Sequence, residues 1–279
     1  MVLYYYFAVL TAIYILMGWA LYLPYRVGHL HFLPIAIMAI SAYFTGIAAR
    51  EWHWPFLFIV ITGFILGLIL NYLVALLIGD APCFSVVIVG LTSIFIVKTV
   101  IENWDYIGGT VGFFNIPTPQ LMIVWAYLAL ALMGFIIFKI ENSQQARFAS
   151  VVFHDNVLAE ALGIDQKRIG IFLHSFSGML AGLSGVLYAG LIGGLTPDFF
   201  AFNMIGSLMA ILFVGGYRTM WGVVIAAPIL GGIPILLPDF LVTWKQFIYG
   251  GLLIIIICFR PEGFITRKQI INFKKQIVK

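Results

Sequence analysis

The chain of 279 residues is 63% hydrophobic and only 9% charged, with a mean hydropathy of +1.08, where soluble domains carry about 25% charged residues. That balance excludes a water-soluble globular protein and marks a polytopic membrane protein. The formal net charge of +4 sits next to the apolar runs, as a topology signal does, so no nucleic-acid partner is expected.

Apolar runs of about 17 to 25 residues, enough to cross a hydrocarbon core of about 30 Å, recur along almost the whole chain. They predict helices at 3–23, 32–49, 56–79, 84–101, 120–140, 169–193, 202–220, 222–237 and 245–259. The fold class is therefore an all-α, polytopic integral membrane helical bundle of about 9 (8 to 10) crossings. A membrane β-barrel would show alternating segments of about ten residues; LLIIIIC at 252–258 and FIVITGFILGLIL at 58–70 do not alternate. The run at 222–237 is short and interrupted by Pro228 and Pro234, which leaves a broken or re-entrant piece open there. The opening MVLYYYFAVL has no basic segment and no small-residue cleavage site after it, so a retained helix is expected.

Lysine and arginine give the orientation. With the N-terminus outside, twelve of the fifteen basic residues fall on the cytoplasmic side, leaving Arg50, Lys98 and Lys245 outside. The excess of positive charge selects that orientation, with the C-terminus in the cytoplasm. One transmembrane domain is expected over 1–264, with a cytoplasmic loop at about 141–168 and a basic tail at 265–279. Membrane lipid is its first partner. Cys83 and Cys258 both fall on or near the cytoplasmic side, where a disulfide is not expected; they read as small packing residues.

The polar-rich stretch RFASVVFHDNVLAEALGIDQKR at 147–168 is anomalous in such a chain. Asp155 is a suitable N-cap; Val157, Leu158, Ala161 and Leu162 follow at helical spacing, and Gly163 stands where a left-handed C-cap belongs. A short amphipathic cytoplasmic helix follows from this. It could lie on lipid, pack under its own bundle, or insert into a partner's groove. Its polar face offers Asp155, Asn156 and Glu160 instead of basic residues, which favours protein over lipid.

Farther along, Ser177, Ala181, Gly185 and Ala189 recur every fourth residue, with Gly178 and Gly182 on the neighbouring flank. Small residues at this spacing let helices approach closely, either within the chain or against a second subunit. Glycines 108, 109 and 112, in DYIGGTVGFFNIPTP, are expected on the outer side, as a loop or as part of a solute-delivery mouth. Among the few intramembrane polar residues, Asn71, Asn203 and Ser207 are candidates for a translocation pathway, with interhelical hydrogen bonding as the competing role. Lys98 and Glu102 are spaced to pair near the outer face. The five histidines, at 29, 31, 53, 154 and 174, are scattered along the sequence without metal-site spacing, and no metal is expected. No phosphate-binding loop, nucleophile elbow or catalytic triad pattern occurs; no catalytic residue is assigned, and an enzyme is not expected.

VLAEALGID followed by FLHSFSGMLAGLSGVLYAGLIGGLTPDFF resembles the signature of the branched-chain amino-acid type of ABC-transporter permease, a family that also includes urea and short-amide importers. GGTVGFFNIP (108–117), VGGYRTMWG (214–222) and YGGLLIIIICFRPEGF (249–264) agree with it in order. The resemblance implies that Asp155, Asn156, Val157, Leu158, Ala159, Glu160, Ala161, Leu162 and Gly163 form a coupling helix docked on a cytoplasmic ATPase. The spacing from Glu160 to Gly163 is shorter than the Glu-Ala-Ala pattern general to ABC importers. It also implies two ATPase subunits holding ATP and Mg, a second and related permease chain, an extracytoplasmic solute-binding protein, and residence in a bacterial-type inner membrane. The chain itself would carry no cofactor. The implied function is inward movement of a small neutral or zwitterionic solute by alternating access. A secondary transporter would need an ionisable intramembrane site, and no acidic residue lies centrally in the predicted spans. A membrane scaffold would show the packing faces without a pathway.

Overall fold

A computed structural model describes residues 2–79 and 81–236, together with Trp244, Phe247, Gly250, Gly251, Ile254, Ile255, Cys258 and Phe259. The helices are α1 (Val2–Tyr25), α2 (Leu33–Arg50), α3 (Phe56–Ile78), α4 (Cys83–Glu102), α5 (Met122–Glu141), α6 (Gln144–His154), α7 (Asn156–Ala161), α8 (Gln166–Ile192), α9 (Phe202–Gly215) and α10 (Met220–Leu236). Among the described residues, seven helices are long and apolar enough to cross a membrane, and Met220–Gly231 is a shorter apolar one. The chain is a multi-pass α-helical membrane protein. Of the expected run at 245–259 only Phe247, Gly250, Gly251, Ile254, Ile255, Cys258 and Phe259 are described, and the tail at 265–279 lies outside the described residues.

Proline and glycine set several boundaries. Pro55 and Pro82 stand just before α3 and α4, where a missing N–H costs nothing. Gly193, at φ +71°, closes α8 in the left-handed region that glycine tolerates. The break left open at Pro228 or Pro234 is not found: α10 continues through both positions. Each proline removes one backbone donor without ending this helix.

α8 occupies the centre, with α1, α2 and α3 packed around it. Without a hydrophobic force separating helix from lipid, this packing rests on close backbone approach. The small-residue face of α8 supplies it. Gly178 lies against Gly67, and Gly182 against Gly63, so closely that a Cβ on one would collide with the carbonyl of the other. Gly185 fits against Met38 and Ser41 of α2. Ser177 Oγ donates to the Ala20 carbonyl at 2.6 Å, joining α1, and Ala181 and Ala189 are both fully buried. Ser41 Oγ donates to the Gly182 carbonyl at 2.7 Å.

The periphery is apolar and open. On α3, Leu57, Ile61, Ile65, Ile69, Leu73 and Leu77 form an exposed stripe. Such a continuous apolar face would be an aggregation liability in water and is the natural surface toward lipid tails. The polar features gather at two ends. One holds Arg26, the α3–α4 connection and the loop carrying α6 and α7. The other holds Arg50, the loop of residues 103–121 and the turn after α8. A two-residue antiparallel pair, β1 (Phe113–Phe114) with β2 (Gly194–Leu195), ties those last two segments together. This small departure from an all-helical chain had no alternating pattern to announce it.

Candidate functional site

At the Arg26 end, the loop expected to hold one helix holds two. α7 is one and a half turns long, and Asp155 caps it: Oδ1 accepts from Val157 N at 2.9 Å and Leu158 N at 3.0 Å. Gly163, at φ +71°, turns the chain out of the helix in open space. Asp165 then caps α8, accepting from Arg168 N at 3.0 Å, while its other oxygen pairs with Arg168 Nε at 2.8 Å. Gln166 Nε2 donates to the Asn156 carbonyl at 3.0 Å, closing the loop on itself.

The apolar side of α7 is divided. Ala159 is fully buried, whereas Val157, Leu158 and Leu162 are 76%, 49% and 61% exposed. The expected single apolar face therefore does not pack under its own bundle, and Ala161, Asn156 and Glu160 are exposed beside it. Three large apolar side chains project from a capped, hydrogen-bonded loop.

Beneath this loop, Arg26 joins three segments. Its Nη2 donates to the Ala146 carbonyl of α6 at 3.0 Å; its Nη1 reaches the Arg218 carbonyl and the Tyr22 hydroxyl, both at 3.2 Å. The Tyr22 hydroxyl donates in turn to Glu141 at 3.2 Å. Tyr25, Phe153, Phe213 and Tyr217 form an edge-to-face aromatic cluster alongside. A cavity of about 560 Å³ separates α7 from the base of α4 and the α1–α2 connection, with His29, Cys83, Glu160, Asp165 and Lys167 on its walls.

His29 leads inward from that cavity to a cluster hidden by the sequence. Its Nδ1 lies 3.1 Å from His174 Nε2 of α8, and the His31 and His174 rings meet edge to face at 4.6 Å. Asn71 of α3 locks the cluster: its Nδ2 donates to the His174 carbonyl at 2.7 Å, and its Oδ1 faces His31 Nε2 at 3.3 Å. An amide oxygen only accepts, so His31 Nε2 carries the hydrogen. Burial pushes the His31 imidazole down to about 4, against an upward pull from Asn71. The histidines expected to be scattered are thus three together and two apart. Gly28 turns the chain at φ +85° just before His29, and the short connection to α2 then carries both His29 and His31 to His174. The pair at i and i+2 was the available signal. Among the described residues no group of three His, Cys, Asp or Glu side chains has the geometry to hold a metal.

The other pathway candidates do not gather around Asn71. Asn203 is exposed on α9, and Ser207, one turn on, is buried with its hydroxyl on the Asn203 carbonyl at 3.3 Å. Gly108, Gly109 and Gly112 all have positive φ at the Arg50 end. There the i,i+4 contact of Lys98 with Glu102 is found at 3.5 Å, joined by a shorter one from Lys98 Nζ to Asp198 at 2.7 Å. Arg50 stacks over Phe113 and donates to the Phe114 carbonyl at 3.0 Å. A cavity of about 530 Å³ lies between Arg50, His53, Trp54 and Asn115. Both cysteines, expected as small packing residues outside any disulfide, are free and exposed.

The fold and this loop are those of a multi-pass α-helical membrane protein that holds a capped helix outward on an intervening loop. Residues 3–257 match the family model described as branched-chain amino acid transport system / permease component, and the chain belongs to that family. It is 26% identical over 172 residues to the high-affinity branched-chain amino acid transport system permease protein LivM of Escherichia coli K12, covering 60% of this chain and 40% of that one. It is 26% identical over 166 residues to LivH of Salmonella typhimurium LT2, covering 59% and 53%, and 27% over 155 residues to LivH of Escherichia coli K12, covering 55% and 49%. The matched stretches therefore span about half or less of these relatives. No solved structure matches the chain.

Proposed function

We propose that this chain is the membrane-spanning subunit of an ATP-binding-cassette importer that carries branched-chain amino acids inward. The observation that carries the reading is the exposed ridge of Val157, Leu158 and Leu162 on α7. Covering such a side chain is worth up to about 1.5–3 kcal/mol, so a rigid loop holding three of them in the open suits a groove on another protein. With the Arg26 end in the cytoplasm, that protein is one of two ATPase subunits holding ATP and Mg. Their closure pushes α7, and the Arg26 links to α6 and to the α9–α10 turn pass the movement into the bundle. At the Arg50 end, the cavity beside Trp54 and the Lys98–Asp198 bridge face an extracytoplasmic binding protein. A second permease chain completes the pathway, in a bacterial-type inner membrane.

The test is purification of the tagged chain from its own membrane. An ATP-hydrolysing partner at fixed stoichiometry is expected with the native chain. Ala161→Glu puts a charge into the ridge and Gly163→Pro removes the left-handed turn; both are expected to insert normally and lose the partner. Retention of the ATPase by both variants would overturn the docking assignment.

A further inference from the structure

We infer that the furrow between α1, α5 and α10 binds one anionic phospholipid, with an acyl chain laid in the furrow and the headgroup phosphate held by Lys139 and Trp221 at the Arg26 end. The site needs neither a solute nor an ATPase, so it stands apart from the transport reading.

α5 and α10 each pack on α1 and barely meet each other, which makes α1 the floor of a furrow between them. Trp19 of α1 lies in that floor, 3% exposed, with its indole N–H donated to the Met220 carbonyl at 3.0 Å. Gly134 of α5 makes room for it, since a Cβ there would stand 3.0 Å from the Trp19 ring. The space left is about 400 Å³, and among the described residues no ionisable side chain lines it.

A helix is about 10–12 Å across and would rest on the rim of such a furrow, whereas an acyl chain lies inside it. Helices in lipid also approach one another where side chains are small, and this rim carries Phe135 and Trp221, 63% and 44% exposed. The described apolar residues of the last run, Trp244, Phe247, Ile254, Ile255 and Phe259, are each more than half exposed, so they do not fill the space. A lipid tail suits both the volume and the walls.

The hydrogen-bond donors stand at one end. Trp221 follows Arg218 by three residues and Lys139 precedes Glu141 by two. The Arg218 carbonyl accepts from Arg26, and Glu141 accepts from Tyr22, which places both donors at the Arg26 end. The Lys139 ammonium is 5.3 Å from the centroid of the Phe135 ring on the rim. Among the described residues Lys139 has no carboxylate partner, which leaves its three N–H donors to a headgroup. The Trp221 indole N–H likewise makes no hydrogen bond among the described residues, and tryptophan favours the headgroup level of a membrane. A phosphodiester accepts from both groups, and the added cation favours a headgroup of net negative charge over a zwitterionic one. With the Arg26 end in the cytoplasm, the adjoining leaflet is the one rich in anionic lipid.

The probe is Trp221 fluorescence in the full chain, in phosphatidylcholine nanodiscs that hold a minor share of phosphatidylglycerol or phosphatidylcholine with brominated acyl chains. Bromine quenches an indole on contact, and the difference between the native chain and Trp221→Phe isolates the Trp221 signal. Brominated phosphatidylglycerol is expected to quench it about fivefold more effectively than brominated phosphatidylcholine at equal share, the worth of one cation beside anionic lipid. Lys139→Gln is expected to equalise the two lipids, while Arg168→Gln, at the same end but on α8, leaves the preference. Ala131→Phe fills the furrow from an exposed position and is expected to lower the quenching by both. Equal quenching by the two lipids in the native chain would overturn the site, as would a preference that survives Lys139→Gln. So would a Trp221 that neither lipid reaches, the result expected if the last run or a second copy of the chain covers the furrow. Both leaflets of a nanodisc carry the brominated lipid, so neither the orientation of the chain nor the permease reading enters the outcome.

Discussion

Gly67 of α3 and Gly178 of α8 meet backbone to backbone, each occupying the space where the other's Cβ would be. Overpacking a core typically costs about 1–3 kcal/mol through side-chain shifts, and here the obstacle is carbonyl oxygen, which cannot rotate away. Gly67→Val and Gly178→Val are expected to cost at least the upper end of that range. Gly206, in α9, has nothing near its missing Cβ, so Gly206→Ala is expected to stabilise by up to about 1 kcal/mol. Thermal melting of the purified chain in detergent gives both signs.

Asn71 is enclosed, with both amide atoms engaged. Asn71→Leu leaves the His31 Nε2 hydrogen without its Asn71 acceptor, at about 1–3 kcal/mol, and removes a second bond to the His174 carbonyl, which keeps its partner within α8. The same melting measurement is expected to fall clearly, whereas a residue lining an open aqueous path would tolerate the change with little loss of stability.

Asp155 holds the free N–H groups of Val157 and Leu158 in the first turn of α7. Asp155→Ala is expected to cost about 1 kcal/mol of local helix stability and Asp155→Ser much less. Because α7 is mostly exposed, global melting should barely move. Co-purification with the ATPase should weaken in the alanine variant and recover in the serine variant.

The pH sign follows from His29. Its pKa is lowered in the folded protein, so the unfolded chain binds the extra proton more readily. Stability from the buried neutral imidazole is present at neutral pH and is lost as pH falls through the ordinary imidazole range of about 6.5. Melting temperatures measured across that range should decline on acidification, and more shallowly in His29→Asn.

Much of the bundle was legible because lipid imposes length. The apolar runs at 3–23, 32–49, 56–79 and 84–101 fall within two residues of α1 to α4 at each end, since unpaired backbone cannot be left in hydrocarbon. Asp155 and Gly163 were legible for a local reason, as a cap and a turn act on their own neighbours. What the sequence hid was non-local. His29 and His174 are 145 positions apart, and nothing in either neighbourhood announces the other. Lys98 was paired with Glu102 by helical spacing, while its shorter contact, Asp198, arrives from the turn after α8. The direction of the α7 ridge was equally hidden: amphipathic spacing marks an apolar side without saying whether the bundle beneath will cover it.

The most direct measurement is uptake of labelled leucine by cells lacking the chain, by cells with it restored, and by cells carrying Ala161→Glu. The account predicts uptake that returns only with the native chain, depends on ATP, and is lost in the variant although the protein inserts. Chain-dependent uptake that persists without ATP, or that Ala161→Glu leaves at the native level, would contradict it.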